Sequence, residues 1–144
     1  MGKKGPKPPP AGPFLARDPQ ALARAVRQFN SWRFWDCHET LEEVWQDEDT
    51  AAADLYQGII KAAAGFHHLL RRNYRGATHL LAGALALLRP FPDRCLGLDV
   101  AALRQGIHRC LRELRGLGPG GIASFDLSLI PTIDYRPEDD HGAA

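Results

Sequence analysis

An all-α fold, a compact array of about five helices closed by an extended C-terminal strap, is what this sequence predicts. Three observations lead there. Apolar residues return at helical spacing in five successive segments. Each segment is preceded by an Asp, Asn, Ser or Thr suited to a cap or a turn. The one alternating stretch, FDLSLIPTIDY, is broken by Pro131, which argues against a central strand. At 144 residues, 44% of them hydrophobic, the chain has room for one domain around one core.

The elements follow in order. Residues 1–13, MGKKGPKPPPAGP, are rich in proline and glycine, carry three lysines and offer almost no apolar surface to bury, so they read as a disordered basic tail. Asp18-Pro19 then reads as an N-cap with proline at the first helical position. Leu22, Ala25, Val26 and Phe29 form the inward stripe of a first helix to about Asn30. Asn30 suits a left-handed stop, and Ser31 a cap for a second helix to about Gln46. Asp49 or Thr50 caps a third, to about Arg72, with Tyr56, Ile59, Ile60, Ala63, Phe66, His67 and Leu70 inward. Asn73 suits the turn before a fourth, whose inward residues are Ala77, Leu80, Leu81, Ala84, Leu85 and Leu88, and Pro90 and Pro92 stop it. Asp99 caps a fifth, carrying Val100, Leu103, Ile107, Leu111 and Leu114 and ending at Gly116 or Gly118. The strap packs on these helices and completes a single helical domain over residues 14–133; residues 134–144 read as a loose acidic tail.

Two stretches echo one another. FNSWRFWDCHETLEEVW and RRNYRGATHLLAGALAL each place a turn-like Asn before a helix with aromatic and small residues early in it. They sit roughly forty residues apart, in the style of helical-hairpin repeats, although the consensus of such repeats is missing.

Charge excludes little and announces nothing. Eighteen basic and seventeen acidic side chains leave a formal net charge of +1, so the overall field favours neither nucleic acid nor an anionic membrane. No apolar run approaches the roughly 20 residues that span a bilayer, and no signal peptide opens the chain, so a cytoplasmic protein is expected. Cys37, Cys95 and Cys110 are odd in number and lack zinc-like spacing, which reads as reduced, packed thiols. P-loop, dinucleotide-binding and serine-hydrolase motifs are absent from the sequence.

The chemistry-bearing stretch is FWDCHETLEEVW. At 100° per residue Phe34, His38, Leu41 and Trp45 fall within about 60° of arc, which puts His38 in the centre of the inward stripe with Glu42 on its flank. Glu39 and Glu43 turn outward, Glu39 being a possible second carboxylate. On the third helix His67 is inward and His68 shares a side with Gln57 and Lys61. Were the two helices to pack together, His38, Glu42 and His67 could converge on an acid/base site or a divalent metal, the one cofactor this cluster could take. The other reading is a neutral core histidine hydrogen-bonded to Glu42. HETLE lacks the second histidine of the zinc-peptidase signature. Gly58 and Gly65 thin one face of the third helix for close approach of another. Trp32, Trp35 and Trp45 supply large packing or interface surfaces, and Arg71, Arg72 and Arg75 a basic knot at a helix end.

Together FNSWRFWDCHETLEEVW, YQGIIKAAAGFHH, NYRGA and the GLD at Gly97 to Asp99 resemble the bacterial family called domain of unknown function 309, over roughly Leu22 to Leu114. The resemblance implies a compact helical array and no established activity, substrate or cofactor. It marks His38, Glu39, Leu41, Glu42, Trp45, Gly58 and His67 as matching positions; Cys37 stands where alanine is expected and Lys61 where glutamine is familiar.

The functional expectation is a non-enzymatic binding or scaffold module with a polar pocket among His38, Glu39, Glu42, Trp45, Gln57 and His67. It is expected to act as a homodimer, with no cofactor and with neither membrane nor nucleic acid as partner. At least one of Trp32 and Trp35 should lie outside the core as an interface anchor, unless Phe125, Leu127 and Ile130 of the strap cover that sector. The rivals are a small hydrolase-like or metal-dependent enzyme using His38, Glu42 and His67, and a nucleic-acid-associated protein acting through the N-terminal lysines.

Overall fold

Asp18 opens the first helix as its sequence requires: its side chain accepts from the Ala21 N–H at 3.0 Å, with Pro19 next. In the computed structural model, which describes residues 16–137, five α-helices follow: α1 (Pro19–Asn30), α2 (Phe34–Asp47), α3 (Ala52–Leu70), α4 (Tyr74–Leu88) and α5 (Val100–Leu117). Each packs on the next in sequence, and α3 lies between α2 and α4. The chain is all-α, with one two-stranded hairpin, β1 (Arg94–Cys95) and β2 (Leu98–Asp99), among the described residues.

The core begins where α1, α2 and α3 meet. Phe29 and Phe34 stack edge-on at 5.1 Å, and Phe66 closes the trio at 5.9 and 5.6 Å. The thin face of α3 is where α4 lies: a methyl added at Gly58 would stand 2.7 Å from Leu88, and one at Gly65 2.9 Å from Leu81. Thr50 serves the start of α3, its hydroxyl accepting from Ala52 N–H at 3.1 Å. That hydroxyl in turn donates to the buried Glu48 carboxylate at 2.6 Å. Asp99 caps α5 through Ala102 N–H.

Several boundaries and phases differ from expectation. Ser31 does not cap α2. It ends α1, Trp32 takes a left-handed φ of 61°, and Arg33 is the residue before α2. On α2 the buried face is Phe34, Cys37, Thr40, Leu41 and Val44, so His38 and Trp45 sit on its edge and not at its centre. The reason is that α2 packs between α1 and α3, which widens its buried face toward Cys37 and Thr40 and shifts the midline that one stripe suggests. Leu69 is buried and Leu70 exposed at the end of α3, and Leu80 and Leu85 are only partly covered on α4.

The β1–β2 hairpin has no counterpart in the expected elements. Arg94 pairs with Asp99 and Cys95 with Leu98, so Leu96 and Gly97 form a two-residue turn with φ of 55° and 82°. Positive φ at both central residues is the type I′ requirement, and the turn inserts Leu96 into the core.

The strap is present but not extended from its start. After Gly118 come 3₁₀ turns over Pro119–Ser124 and Leu127–Leu129, then an extended run that buries Ile130 and Ile133. Pro131 seats on Gly106 of α5, and the Asn30 amide clamps Ile133 by accepting its N–H at 2.7 Å and donating to its carbonyl at 3.0 Å. Packing continues past residue 133: Leu98 pairs with Tyr135, and Arg136 N–H donates to Gly97 at 2.7 Å. The expected basic tail over 1–13 and residues 138–144 of the expected acidic tail lie outside the described residues. Among the described residues no helix is long and apolar enough to cross a membrane.

Candidate functional site

Trp35, in the first turn of α2, organises the residues that the sequence singled out. Its indole stacks on the His38 imidazole, 4.8 Å between centroids with planes 7° apart, and meets His67 of α3 at 5.5 Å. His67 in turn stands edge-on to His68 at 5.8 Å. His68 Nδ1 lies 3.0 Å from Asn73 Nδ2, and Asn73 Oδ1 accepts from Gly76 N–H to cap α4. A row of rings therefore runs from α2 across α3 to the start of α4. Trp35 is 51% exposed and Trp32 40%, so both lie outside the core. The strap does not cover them: Phe125 and Ile130 are buried elsewhere, and Leu127 is itself exposed near Leu69 and Leu70.

His38 is not a satisfied core histidine. Its Nε2 is 3.6 Å from Glu42 Oε2, an ion-pair distance too long for a hydrogen bond. Its Nδ1 is buried without a hydrogen-bond partner among the described residues, as is Gln57 Oε1. Glu39 points to solvent, Glu42 is partly exposed, and Trp45 rests half-buried against the core. Burial lowers the His67 pKa from its ordinary value, and the charges of Arg71, His68 and His38 lower it further.

The structure thus joins His38 to Glu42 and, through Trp35, His38 to His67. Among the described residues no group of three His, Cys, Asp or Glu side chains could hold a metal ion, so His38, Glu42 and His67 form no three-ligand set in this arrangement. The Trp35 ring contacts both imidazoles. All three cysteines are buried, and burial pushes the Cys37 and Cys110 thiols up to about 12, far from a reactive thiolate at neutral pH. A cavity of about 410 Å³ lies elsewhere, between α1 and α2, lined by Asp18, Arg24, Thr40, Glu43 and Glu48 among others.

Two roles escaped the sequence reading. Trp35 is expected above only as an interface anchor, yet its indole also stacks on His38, three positions on. Asn73 is expected above only at a turn; the signal for more is an Asn directly before the apolar helical stripe, which suits an N-cap.

A family model described as "Domain of unknown function (DUF309)" matches residues 22–80, a span holding every ring of the row and Asn73. The uncharacterized protein YpuF of Bacillus subtilis is 32% identical over 127 residues, covering 84% of this chain and 69% of that protein. The chain belongs to the DUF309 family. An uncharacterized protein of Aquifex aeolicus is 27% identical over 100 residues, 67% of this chain. The aligned stretch spans only 29% of that relative's length. Both relatives are bacterial, and the family's description assigns no function.

Proposed function

We propose that the chain is a non-enzymatic binding or scaffold module of the bacterial cytoplasm that pairs with a second copy of itself through the face around Trp32 and Trp35. One observation carries the reading: Trp35 stays half in solvent while its ring is held by His38 and His67. An indole already fixed in orientation loses little freedom on docking, and tryptophan anchors are where interface energy concentrates. Sedimentation at micromolar concentration tests it. We expect a dimer whose dissociation constant rises at least about tenfold with Trp35→Ala, the effect of losing a central anchor. A strictly monomeric chain overturns the reading, and so does a dimer indifferent to Trp32→Ala and Trp35→Ala.

A second reading, acid/base or metal-assisted chemistry at His38, draws on the buried, unpartnered Nδ1 beside Glu42. Stoichiometric metal in protein purified without an affinity tag, lost in His38→Gln, supports it in place of the binding module.

A further inference from the structure

We propose that the end of the bundle where α1 turns into α2 and α3 turns into α4 binds single-stranded nucleic acid, with Trp32 and Trp35 as base platforms and Arg71, Arg72 and Arg75 as phosphate contacts. In the sequence the tryptophans and these arginines stand roughly forty positions apart. The fold brings them to one place. Trp35, in the first turn of α2, meets His67 near the end of α3 at 5.5 Å. Arg71 N–H donates to the His67 carbonyl at 3.3 Å, so Arg71 follows that ring by one turn of chain. Arg72 then forms the left-handed bend into α4, and Arg75 lies in the first turn of that helix.

An overall charge of +1 speaks against nucleic acid only where charge is spread evenly, and here it is divided between the two ends of the helices. Asp47, Glu48, Asp49 and Asp54 gather where α2 ends and α3 begins, far from Trp35. At the Trp35 end, Asp36 is taken up by Arg33 at 2.8 Å. Arg71, Arg72 and Arg75 are exposed and enter no ion pair among the described residues. Their charge is left to an anion from outside. The starts of α2 and α4 lie at the same end and add the positive poles of their dipoles.

The indoles decide which polyanion fits. Trp35 is 51% exposed although its ring is already stacked on His38 with planes 7° apart. A base laid on the open side of the indole continues that stack, which the carboxylates of an acidic polypeptide cannot do. Trp32, 40% exposed and held by the turn, offers a ring to another base. In a duplex the base faces are covered by their neighbours, so an unpaired strand is the form these rings take. This use of the face goes beyond the pairing proposed above and does not rest on it.

Fluorescence anisotropy of a labelled oligothymidylate of about 15 nucleotides, titrated with the full chain, tests the proposal. Between about 50 and 200 mM salt, log K should fall against log salt with a slope of about −2, from three phosphate contacts at about 0.7 each. Replacing Arg71, Arg72 and Arg75 together by glutamine should weaken binding at low salt at least about tenfold and flatten the slope. Trp35→Ala should weaken it about tenfold and Trp35→Phe, which keeps a ring, by less. No binding at the lowest salt, or binding indifferent to these substitutions, overturns the proposal. Binding that survives the arginine changes and is lost when Lys3, Lys4 and Lys7 become glutamine also overturns it, in favour of the N-terminal segment. Equal affinity for polyglutamate of similar length assigns the end to an acidic polypeptide, and equal affinity for the duplex removes the stacking; either overturns it. If Trp35→Ala does not fold, the wild-type indole emission decides: quenching by the oligonucleotide is expected, and binding without quenching overturns the stacking. Sedimentation separates this proposal from the pairing. A monomer that binds the strand overturns the pairing alone, and a dimer that does not bind it overturns the nucleic-acid site alone.

Discussion

The turn between α1 and α2 and the turn between α3 and α4 have one backbone and two chemistries. In the first, Arg33 N–H donates to Gln28 and Trp32 N–H to Phe29; in the second, Asn73 N–H donates to His68 and Arg72 N–H to Leu69. Both are Schellman closures with a left-handed residue at the same place, Trp32 with φ 61° and Arg72 with φ 58°. Beyond the backbone they part. Asn73 caps α4 with its side chain, whereas Arg33 makes no capping bond and ion-pairs instead with Asp36 at 2.8 Å. Gln28 accepts from the Thr40 hydroxyl at 2.8 Å, while His68, its counterpart, lies with Nδ1 3.0 Å from Asn73 Nδ2. The comparison teaches that a helix reversal is set by the backbone pattern, and that the side chains on it are free to become an exposed tryptophan ledge in one copy and a side-chain cap in the other.

The largest expected effect tests the shared part. Phe29 and Leu69 are buried at equivalent positions, and truncation to alanine should destabilise by about 3–5 kcal/mol at Phe29 and about 2–5 at Leu69 in urea unfolding. A loss below about 1 kcal/mol at either one breaks the equivalence of the two turns as core anchors.

Caps come next. Asn73→Ala removes both the Gly76 bond and the acceptor's partner on His68, and should lower stability by about 1–2 kcal/mol. Arg33→Ala removes only an exposed ion pair and should change it by less than about 0.5 kcal/mol. Equal losses would show that the side-chain difference between the turns has no energetic weight.

The smallest effect concerns the left-handed residues. Arg72 is exposed and gains nothing visible from its conformation, so Arg72→Gly should raise stability by up to about 1 kcal/mol, since glycine adopts that φ without strain. Trp32→Gly should gain less, because the partly covered indole is lost with the strain. A larger gain at Trp32 than at Arg72 reverses the ranking and removes any packing role for that ring.

The sequence echo sets Asn30 against Asn73, whereas the matched hydrogen bonds of the two turns set Trp32 against Arg72 and Arg33 against Asn73. Its landmark was displaced because the left-handed position carries Trp and Arg, with no glycine to mark it, so Asn30 drew the assignment that belongs to Trp32. The candidate site was legible in part. His38 stands beside Glu42 as its spacing suggests, but it meets His67 only through Trp35, and the stripe arithmetic put His38 in the core, whereas contact with α1 and α3 buries Cys37 and Thr40 and leaves His38 at the rim.

By itself the sequence determined the number and order of the helices, the caps at Asp18 and Asp99, the thin face of α3 and the burial of the cysteines. These depend on interactions within a turn or two of chain or on which side chains water excludes, and both are written in local spacing. Only the tertiary structure decided that Trp35 bridges His38 to His67, that Asn30 grips Ile133 across the domain, and that Leu96 and Gly97 turn a hairpin. Each of these is fixed by a neighbour distant in sequence or by a backbone conformation that its own residues do not favour, and only the packed core can hold them there.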